Sequence, residues 1–385
     1  ISLPCMLRAI RTRRDVSARA GHEESVLTIR GVRTTPVLVP MTFALGTSAA
    51  RVTEAPLLLV DLETEEGITG RTYLFCYRPS GPRVIALLLE DAVSLIKGER
   101  VRPADIAAKL ARRFALIGVT GTVRMALSGL DAAMWDGLAK AAGVPLASLL
   151  GSSPRPVRAY NSCGLGLMAP AAVADEAVRL TERGFKAVKL RLGYPTLEED
   201  LAALRAVRKR LGAGIEVMVD YNQALSVDDA LLRAHALAAE GAAWLEEPIR
   251  HDDLEGNRRI AAANKLPLQI GENFNGVEAM AAALRAQACH LVMPDLARIG
   301  GVTGWLDAAS LAAANGIKMS SHLFPEVSAH LLAATPTAHW LEYVDWADSI
   351  VQEPLRIVDG MAIVPDRPGA GLDWDDASVK RYRMT

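Results

Sequence analysis

The chain has 385 residues, half of them apolar and 5% aromatic, and its 43 basic and 44 acidic side chains leave a formal net charge of −1. That length exceeds one ordinary compact domain and allows two domains or a large α/β barrel with an attachment. The composition excludes disorder for most of the chain, and the charge balance leaves no global field to draw in nucleic acid or an anionic membrane surface.

Within residues 1–24 the first 22 carry Arg8, Arg11, Arg13, Arg14 and Arg19 against a single Asp15 and lack an apolar core, so a secretory signal is not expected. They are read as a poorly ordered N-terminal extension. From residue 25 to 151 strands come first: Val26–Arg30, Val37–Val39, Leu57–Leu62 and, after a turn at Glu66-Gly67, Gly70–Phe75. Helical periodicity then takes over in Val84–Lys97, Ala104–Phe114 and Val123–Ala142, so this block reads as an α+β domain.

After Pro156 the pattern becomes a repeating unit of short aliphatic strand, polar strand end and helix. The strands are 157–160, 187–190, 215–219, 243–245, 268–270, 291–293, 317–319 and 338–341. Eight units suit a closed (β/α)₈ barrel, whereas open doubly wound sheets usually stop at five or six. The barrel is placed at 152–350, and residues 351–385 are left to pack back on it or on the first domain. Gly164-Leu165-Gly166 lacks the third glycine and the lysine of a nucleotide-binding loop, so it reads as an ordinary βα loop.

Four cysteines, Cys5, Cys76, Cys163 and Cys289, have no Cys-x-x-Cys spacing. They read as buried free thiols in a reducing cytoplasm rather than a disulfide or zinc scaffold. No run approaches the roughly 18 apolar residues of a membrane span.

Barrel enzymes build their sites at the C-terminal ends of the strands. There the chain carries, in order, Ser162, Lys189 with Arg191, Asp220 with Asn222, Glu246 with Glu247, Glu272, Asp295, His322 and Glu342. Asp220, Glu246 and Glu272 fall on consecutive strands and would converge at the mouth, where like charges need a counter-charge. Oxygen ligands without Cys or His suit a hard divalent cation such as Mg²⁺. Because strand side chains alternate, only one of Glu246 and Glu247 faces the cation. Glu246 is preferred, and Glu247 takes a supporting or salt-bridging role. The same alternation sets Lys189 and Arg191 on one face, as cations able to hold a carboxylate substrate. On the other side Asp295 can fix the tautomer of His322, making a general base. Glu342 could donate a proton or hydrogen bond, if burial keeps it protonated or a cation holds it. The arrangement points to proton abstraction α to a carboxylate through a metal-stabilised enediolate.

This order of strand ends resembles the enolase superfamily and, within it, the mandelate racemase subgroup. The resemblance rests on Phe185-Lys186-Ala187-Val188-Lys189, Val219-Asp220-Tyr221-Asn222-Gln223, Trp244-Leu245-Glu246-Glu247-Pro248, Gly271-Glu272-Asn273, Met293-Pro294-Asp295, Gly300-Gly301-Val302-Thr303-Gly304-Trp305 and the run from Ser320-Ser321-His322 to Glu342. It covers about residues 25–375. It implies a modified TIM barrel under an N-terminal α+β capping domain, Mg²⁺ on Asp220, Glu246 and Glu272, the dyad Asp295 and His322, and Glu342 as the acid. It further implies Lys189 and Ser162 at the substrate carboxylate, Asn222 beside the α-hydroxyl, and a homo-oligomer. The segment Pro40–Pro56 matches the family's mobile closing loop, with Leu45, Val52 and Tyr73 as lining residues.

One position departs from the family's Lys-x-Lys pattern, in which the second lysine is the base for the S enantiomer: here it is Lys189-Leu190-Arg191. A guanidinium, with a pKa above about 12, is a poor base. The main expectation is a racemase-like enzyme acting on a 2-hydroxycarboxylate through His322. The alternatives are an acid-sugar dehydratase giving a 2-keto-3-deoxy acid and a non-catalytic barrel that binds a small acid.

Overall fold

The computed structural model describes residues 26–47 and 51–384. The expected extension at 1–24, with Cys5, lies outside them. The first unit runs β1 (Ile29–Gly46), β2 (Arg51–Thr64), β3 (Thr69–Phe75), α1 (Gly81–Ser94), α2 (Pro103–Arg113), α3 (Gly121–Ala141) and α4 (Leu146–Leu149). The second alternates strand and helix: β4 (Val157–Asn161), α5 (Pro170–Thr181), β5 (Ala187–Arg191), α6 (Leu197–Leu211), β6 (Glu216–Asp220), α7 (Val227–Ala239), β7 (Leu245–Glu246), α8 (Leu254–Ala263), β8 (Leu268–Ile270), α9 (Val277–Arg285), β9 (Leu291–Val292), α10 (Leu296–Ile299), α11 (Gly301–Ala314), β10 (Lys318–Met319), α12 (Pro325–Ala333) and β11 (Leu341–Tyr343). A hairpin of β12 (Arg356–Val358) and β13 (Met361–Ile363), then α13 (Asp376–Tyr382), ends the described chain.

The seven strands β4 to β10 are parallel neighbours in chain order, and β11 is the eighth of the barrel. Closure comes from β11 pairing with β4 and from a single bridge between Met319 and Ala338. Strand eight thus lies at Leu341–Tyr343 rather than 338–341, because Ala338 makes only that bridge and the continuous ladder starts three residues on. Glu342 consequently sits inside a strand.

Period-two alternation builds the barrel interior in layers. Tyr160, Ala187, Met218, Trp244, Leu291 and Trp340 form a buried cluster near the N-terminal ends of the strands. The Tyr160 ring meets Trp244 and Trp340 edge-on, at 5.4 and 6.3 Å between centroids. Two residues further along five of these strands stand Ser162, Lys189, Asp220, Glu246 and Glu342. An aromatic and aliphatic floor therefore carries the polar layer.

In the first unit β1, β2 and β3 form an antiparallel sheet with β2 at its centre. The sequence runs 26–30 and 37–39 belong to one long strand, since Pro36 and Pro40 lie on an edge strand where a missing N–H is tolerated. Likewise, within Pro40–Pro56, residues 40–46 and 51–56 are strands rather than loop. The two sides pair, Pro40 opposite Glu54 and Leu45 opposite Val52, with an irregularity between Pro40 and Leu45.

Asp131 of α3 fastens this cap to the barrel by accepting hydrogen bonds from Thr303 N and Oγ1 at 2.9 and 2.6 Å. The C-terminal segment binds both units: β13 pairs with β4, while Met384 N donates to Pro36 of β1 and Trp374 Nε1 to Asp61 of β2. No helix among the described residues is long and apolar enough to cross a membrane.

Within the cap, β3 approaches α3 at Gly70, where a Cβ would overlap the Ala133 carbonyl oxygen and lie 3.0 Å from Gly137 N. The contact is with backbone, which cannot rotate away. Gly70→Ala is therefore expected to destabilise the protein by roughly 3 kcal/mol in urea unfolding, whereas Gly31→Ala, which would meet nothing within 4 Å, leaves the midpoint almost unchanged.

Candidate active site

Asp220 ends β6, Glu246 ends β7 and Glu272 follows β8 by two residues. One carboxylate oxygen from each comes within 4.8 Å of the other two. Lys189 lies among buried acids, its Nζ 2.5 Å from Glu246, 2.7 Å from Glu342 and 3.2 Å from Asp220. Burial opposes the ammonium charge, but Glu246, Glu342 and Asp220 outweigh it and hold the lysine well above its ordinary pKa. Glu246 is pushed up to about 8, by burial first, with Lys189 opposing and Asp220, Glu342 and Glu272 adding to the rise. One ammonium is too little charge for so many carboxylates. A hard divalent cation would make up that deficit, and the all-oxygen donor set fits one.

The local backbone turns each group inward. Asn222 adopts a left-handed conformation (φ 46°) just past β6. Its N–H and Nδ2 donate to Asp220 at 2.8 and 3.1 Å, while its Oδ1 is buried without a partner. That open acceptor fits a hydroxyl donor beside the triad. Trp244 Nε1 and Gln269 Nε2 donate to Glu246 Oε2 at 3.0 and 3.3 Å, fixing the carboxylate from below.

His322 stands across the mouth. Its Nδ1 is 2.7 Å from Asp295 Oδ2, and its Nε2 faces Glu272 at 3.2 Å and Glu342 at 3.8 Å. Asp295 is itself held, because its other oxygen accepts the Ala297 and Arg298 N–H groups as the N-cap of α10. Burial would lower the imidazole pKa, but Glu272, Glu342 and the bond to Asp295 raise it well above the usual value.

The remaining expected residues fall into different surroundings. Glu342 is taken by Lys189 on Oε1 and by Leu323 N–H on Oε2. Burial raises its pKa, yet Lys189 and His322 bring it down to about 2, so it is the cation-held carboxylate and not a stored proton. Glu247 pairs with no cation among the described residues. Asn273 Nδ2 donates to it at 2.7 Å and Gly271 N at 3.4 Å, and burial keeps its acid well above the ordinary range. It supports Glu272 through Asn273, whose Nδ2 also reaches Glu272 at 3.2 Å. Arg191 turns its guanidinium to the strand-one loop, donating to the carbonyls of Ser162 and Gly164 and to Ser162 Oγ. Leu45 and Val52 face one another across the β1–β2 arm, half-buried.

Tyr73 is drawn elsewhere: its hydroxyl donates to buried Glu326 at 2.7 Å and its ring packs on Phe324. The cap tyrosine stacked by Arg298 is Tyr77, held at φ 59° past β3 and 37% exposed. Desolvation raises its phenol pKa, Arg298 opposes, and Asp295, Glu272 and Glu342 add to the rise. Arg298 lies 4.8 Å from the Tyr77 ring centre and donates to the Glu272 carbonyl and to Asn273. Sequence reading missed both residues. Tyr77 lies beyond the strand, where alternation no longer assigns a face, although an aromatic beside Arg78-Pro79 was a visible turn signal. Arg298 was visible as a lone cation between apolar neighbours.

A capped barrel with a carboxylate triad facing a histidine–aspartate pair defines a class of metal-assisted enzymes of carboxylate chemistry. Comparison with known proteins makes this specific. The family described as mandelate racemase/muconate lactonizing enzyme, N-terminal domain, matches residues 28–151, and the enolase C-terminal domain-like family matches 172–378. L-talarate/galactarate dehydratase of Salmonella typhimurium is 33% identical over 336 residues, 87% of this chain and 84% of that one. Among solved structures, an enolase from alpha pretobacterium bal199 with bound Mg is 44% identical with a TM-score of 0.91, covering 93% of this chain and all of the other. An enolase from Bradyrhizobium complexed with magnesium and mandelic acid is 39% identical, TM-score 0.89, covering 94% and 99%. The chain belongs to the enolase superfamily, in its mandelate racemase/muconate lactonizing enzyme group.

The two adjacent acids at the end of β7 and just past it should separate cleanly. Glu246→Gln removes a candidate ligand and is expected to abolish measurable Mg²⁺ binding in a calorimetric titration, whereas Glu247→Gln replaces a buried carboxyl, whose burial favours the neutral form, by an isosteric amide and is expected to stay within a few-fold of wild type.

Proposed function

We propose that the protein is a Mg²⁺-dependent enzyme that removes the α-proton of a 2-hydroxycarboxylate with His322. The observation that carries this is the Asp295-bound imidazole, whose Nε2 looks onto the triad carboxylate Glu272 at 3.2 Å. Asp220, Glu246 and Glu272 would hold the cation. When bound, Mg²⁺ supplies Lewis-acid charge at the substrate carboxylate, where negative charge develops after proton loss.

The chain's own residues do the rest. Lys189 and the Ser162 hydroxyl receive the carboxylate, and the free Asn222 Oδ1 accepts from the α-hydroxyl. Asp295 keeps a proton on Nδ1, so Nε2 is the basic nitrogen. Glu342, ionised beside Lys189, fixes that ammonium in place rather than giving up a proton.

The cap arm favours a simple, apolar 2-hydroxy acid, since Leu45 and Val52 are both aliphatic. The structural relative complexed with mandelic acid supports the same class. A second reading, dehydration of an acid sugar, draws support from Arg191 and from relatives named as dehydratases. With no second base of suitable pKa, one-base chemistry suffices: His322 takes the α-proton and, as imidazolium, returns it to a departing β-hydroxyl as water. The intact dyad and the enzymatic relatives argue against a non-catalytic barrel. Buried free Cys76, Cys163 and Cys289 support a cytoplasmic location. Fully exposed Leu116, with Ile117, supports a homo-oligomer.

Incubation with Mg²⁺ and a panel of 2-hydroxy acids in D₂O is expected to place deuterium at the α-carbon or release a keto acid. His322→Asn should slow this by about 10³-fold; equal rates for the two proteins would remove His322 as the base. Keto-acid release separates dehydration from isomerisation.

Metal binding should also be linked to protons. Burial raises the Glu246 acid to about 8 without a cation, so Mg²⁺ binding at pH 7 is expected to release protons and apparent affinity to rise as pH increases from 6 to 9. Calorimetry in buffers of different ionisation enthalpy measures the proton released.

A further inference from the structure

Arg191 stands where acid–base chemistry is expected, yet both its terminal nitrogens are committed elsewhere, and only its buried Nε is left without a partner. The residue ends β5, opposite Asp220, and is buried. Its Nη1 donates to Ser162 O at 3.1 Å and Gly164 O at 2.7 Å, its Nη2 to Ser162 Oγ at 3.1 Å, and its backbone N–H to Leu165 O at 3.0 Å. Four bonds from one residue thus shape the loop after β4.

Two consequences follow from the geometry. A serine hydroxyl has one proton and two acceptor sites. With Arg191 donating to Oγ, the proton is turned away from the guanidinium, and Ser162 becomes a donor to an anion. The same loop is the seat of the cap arm. A Cβ on Gly166 would come within 2.6 Å of Gly46 Cα and O, and one on Gly164 within 2.9 Å of Phe43 Cβ. Phe43 is further held by Arg179, 4.6 Å from its ring centre.

We propose that Arg191 is a positioning residue that acts through Ser162, directing its hydroxyl toward the substrate carboxylate while holding the Ser162–Gly166 loop on which the β1–β2 arm rests. A planar fork with five N–H groups spans three acceptors that a lysine ammonium cannot reach together. The substrate part of this rests on the function proposed above, and the loop part does not.

The test has two arms. In ligand-free protein, hydrogen–deuterium exchange read on peptides covering 162–168 and 41–47 is expected to quicken in Arg191→Met, to quicken less in Arg191→Lys, and to stay near wild type in Ser162→Ala. With Mg²⁺ and mandelate as the probe acid, Arg191→Met and Ser162→Ala should each weaken mandelate binding by about tenfold, and the double variant should bind no worse than either alone. Unchanged exchange in Arg191→Met would overturn the brace. Multiplicative losses in the double variant would overturn action through Ser162, as would an Arg191→Met that keeps wild-type affinity but shifts the pH profile of α-proton exchange. Should wild type fail to bind mandelate or turn over any 2-hydroxy acid, the function proposal falls, while the exchange arm still decides the brace.

Discussion

Lys189 carries one positive charge into a pocket where Glu246, Glu342 and Asp220 all lie within 3.2 Å of its ammonium. All four side chains are almost wholly buried, so water does little to screen them. The arrangement persists in the fold only because each carboxylate has additional donors: Trp244 and Gln269 on Glu246, Asn222 on Asp220, Leu323 N–H on Glu342. The residual negative charge points at one place, the triad, and makes that place a receptor for a cation. Its electrostatics also reach His322, which faces Glu342 and the triad's Glu272.

Much of this was legible in the sequence, for a geometric reason. Each barrel unit repeats an aliphatic strand with a polar terminus, and period-two alternation links the floor residues to the polar layer above them: Trp244 to Glu246, Met218 to Asp220, Ala187 to Lys189. Reading strand ends in order therefore grouped Asp220, Glu246 and Glu272 as the fold places them, and the one-strand spacing of Asp295 and His322 anticipated their 2.7 Å contact. The cap was harder. Prolines 36 and 40 made β1 look like two short strands, and the arm from Pro40 to Pro56 looked like a loop because its pairing depends on a partner strand and an irregular register.

What sequence could not supply was the direction of long side chains. Lys189 and Arg191 share a face by alternation, yet one points at the carboxylates and the other at the carbonyls of Ser162 and Gly164. Glu342 was left open between a protonated and a cation-held acid, and only its distance to Lys189 decides. Tyr73 and Tyr77 are four residues apart in one aromatic stretch. A left-handed backbone at Tyr77 sends that ring toward Arg298, while Tyr73 stays on the strand and bonds Glu326.

The aromatic floor has a bearing on traffic. Tyr160, Trp244 and Trp340 plug the barrel at its lower end with almost no surface reaching solvent, so nothing the size of a small acid enters or leaves from below. Arrival of substrate, departure of product and access of water all share one doorway, on the side where the β1–β2 arm lies. A single doorway sets the packing of that arm against the Ser162–Gly166 loop beside the one path that entry and exit share.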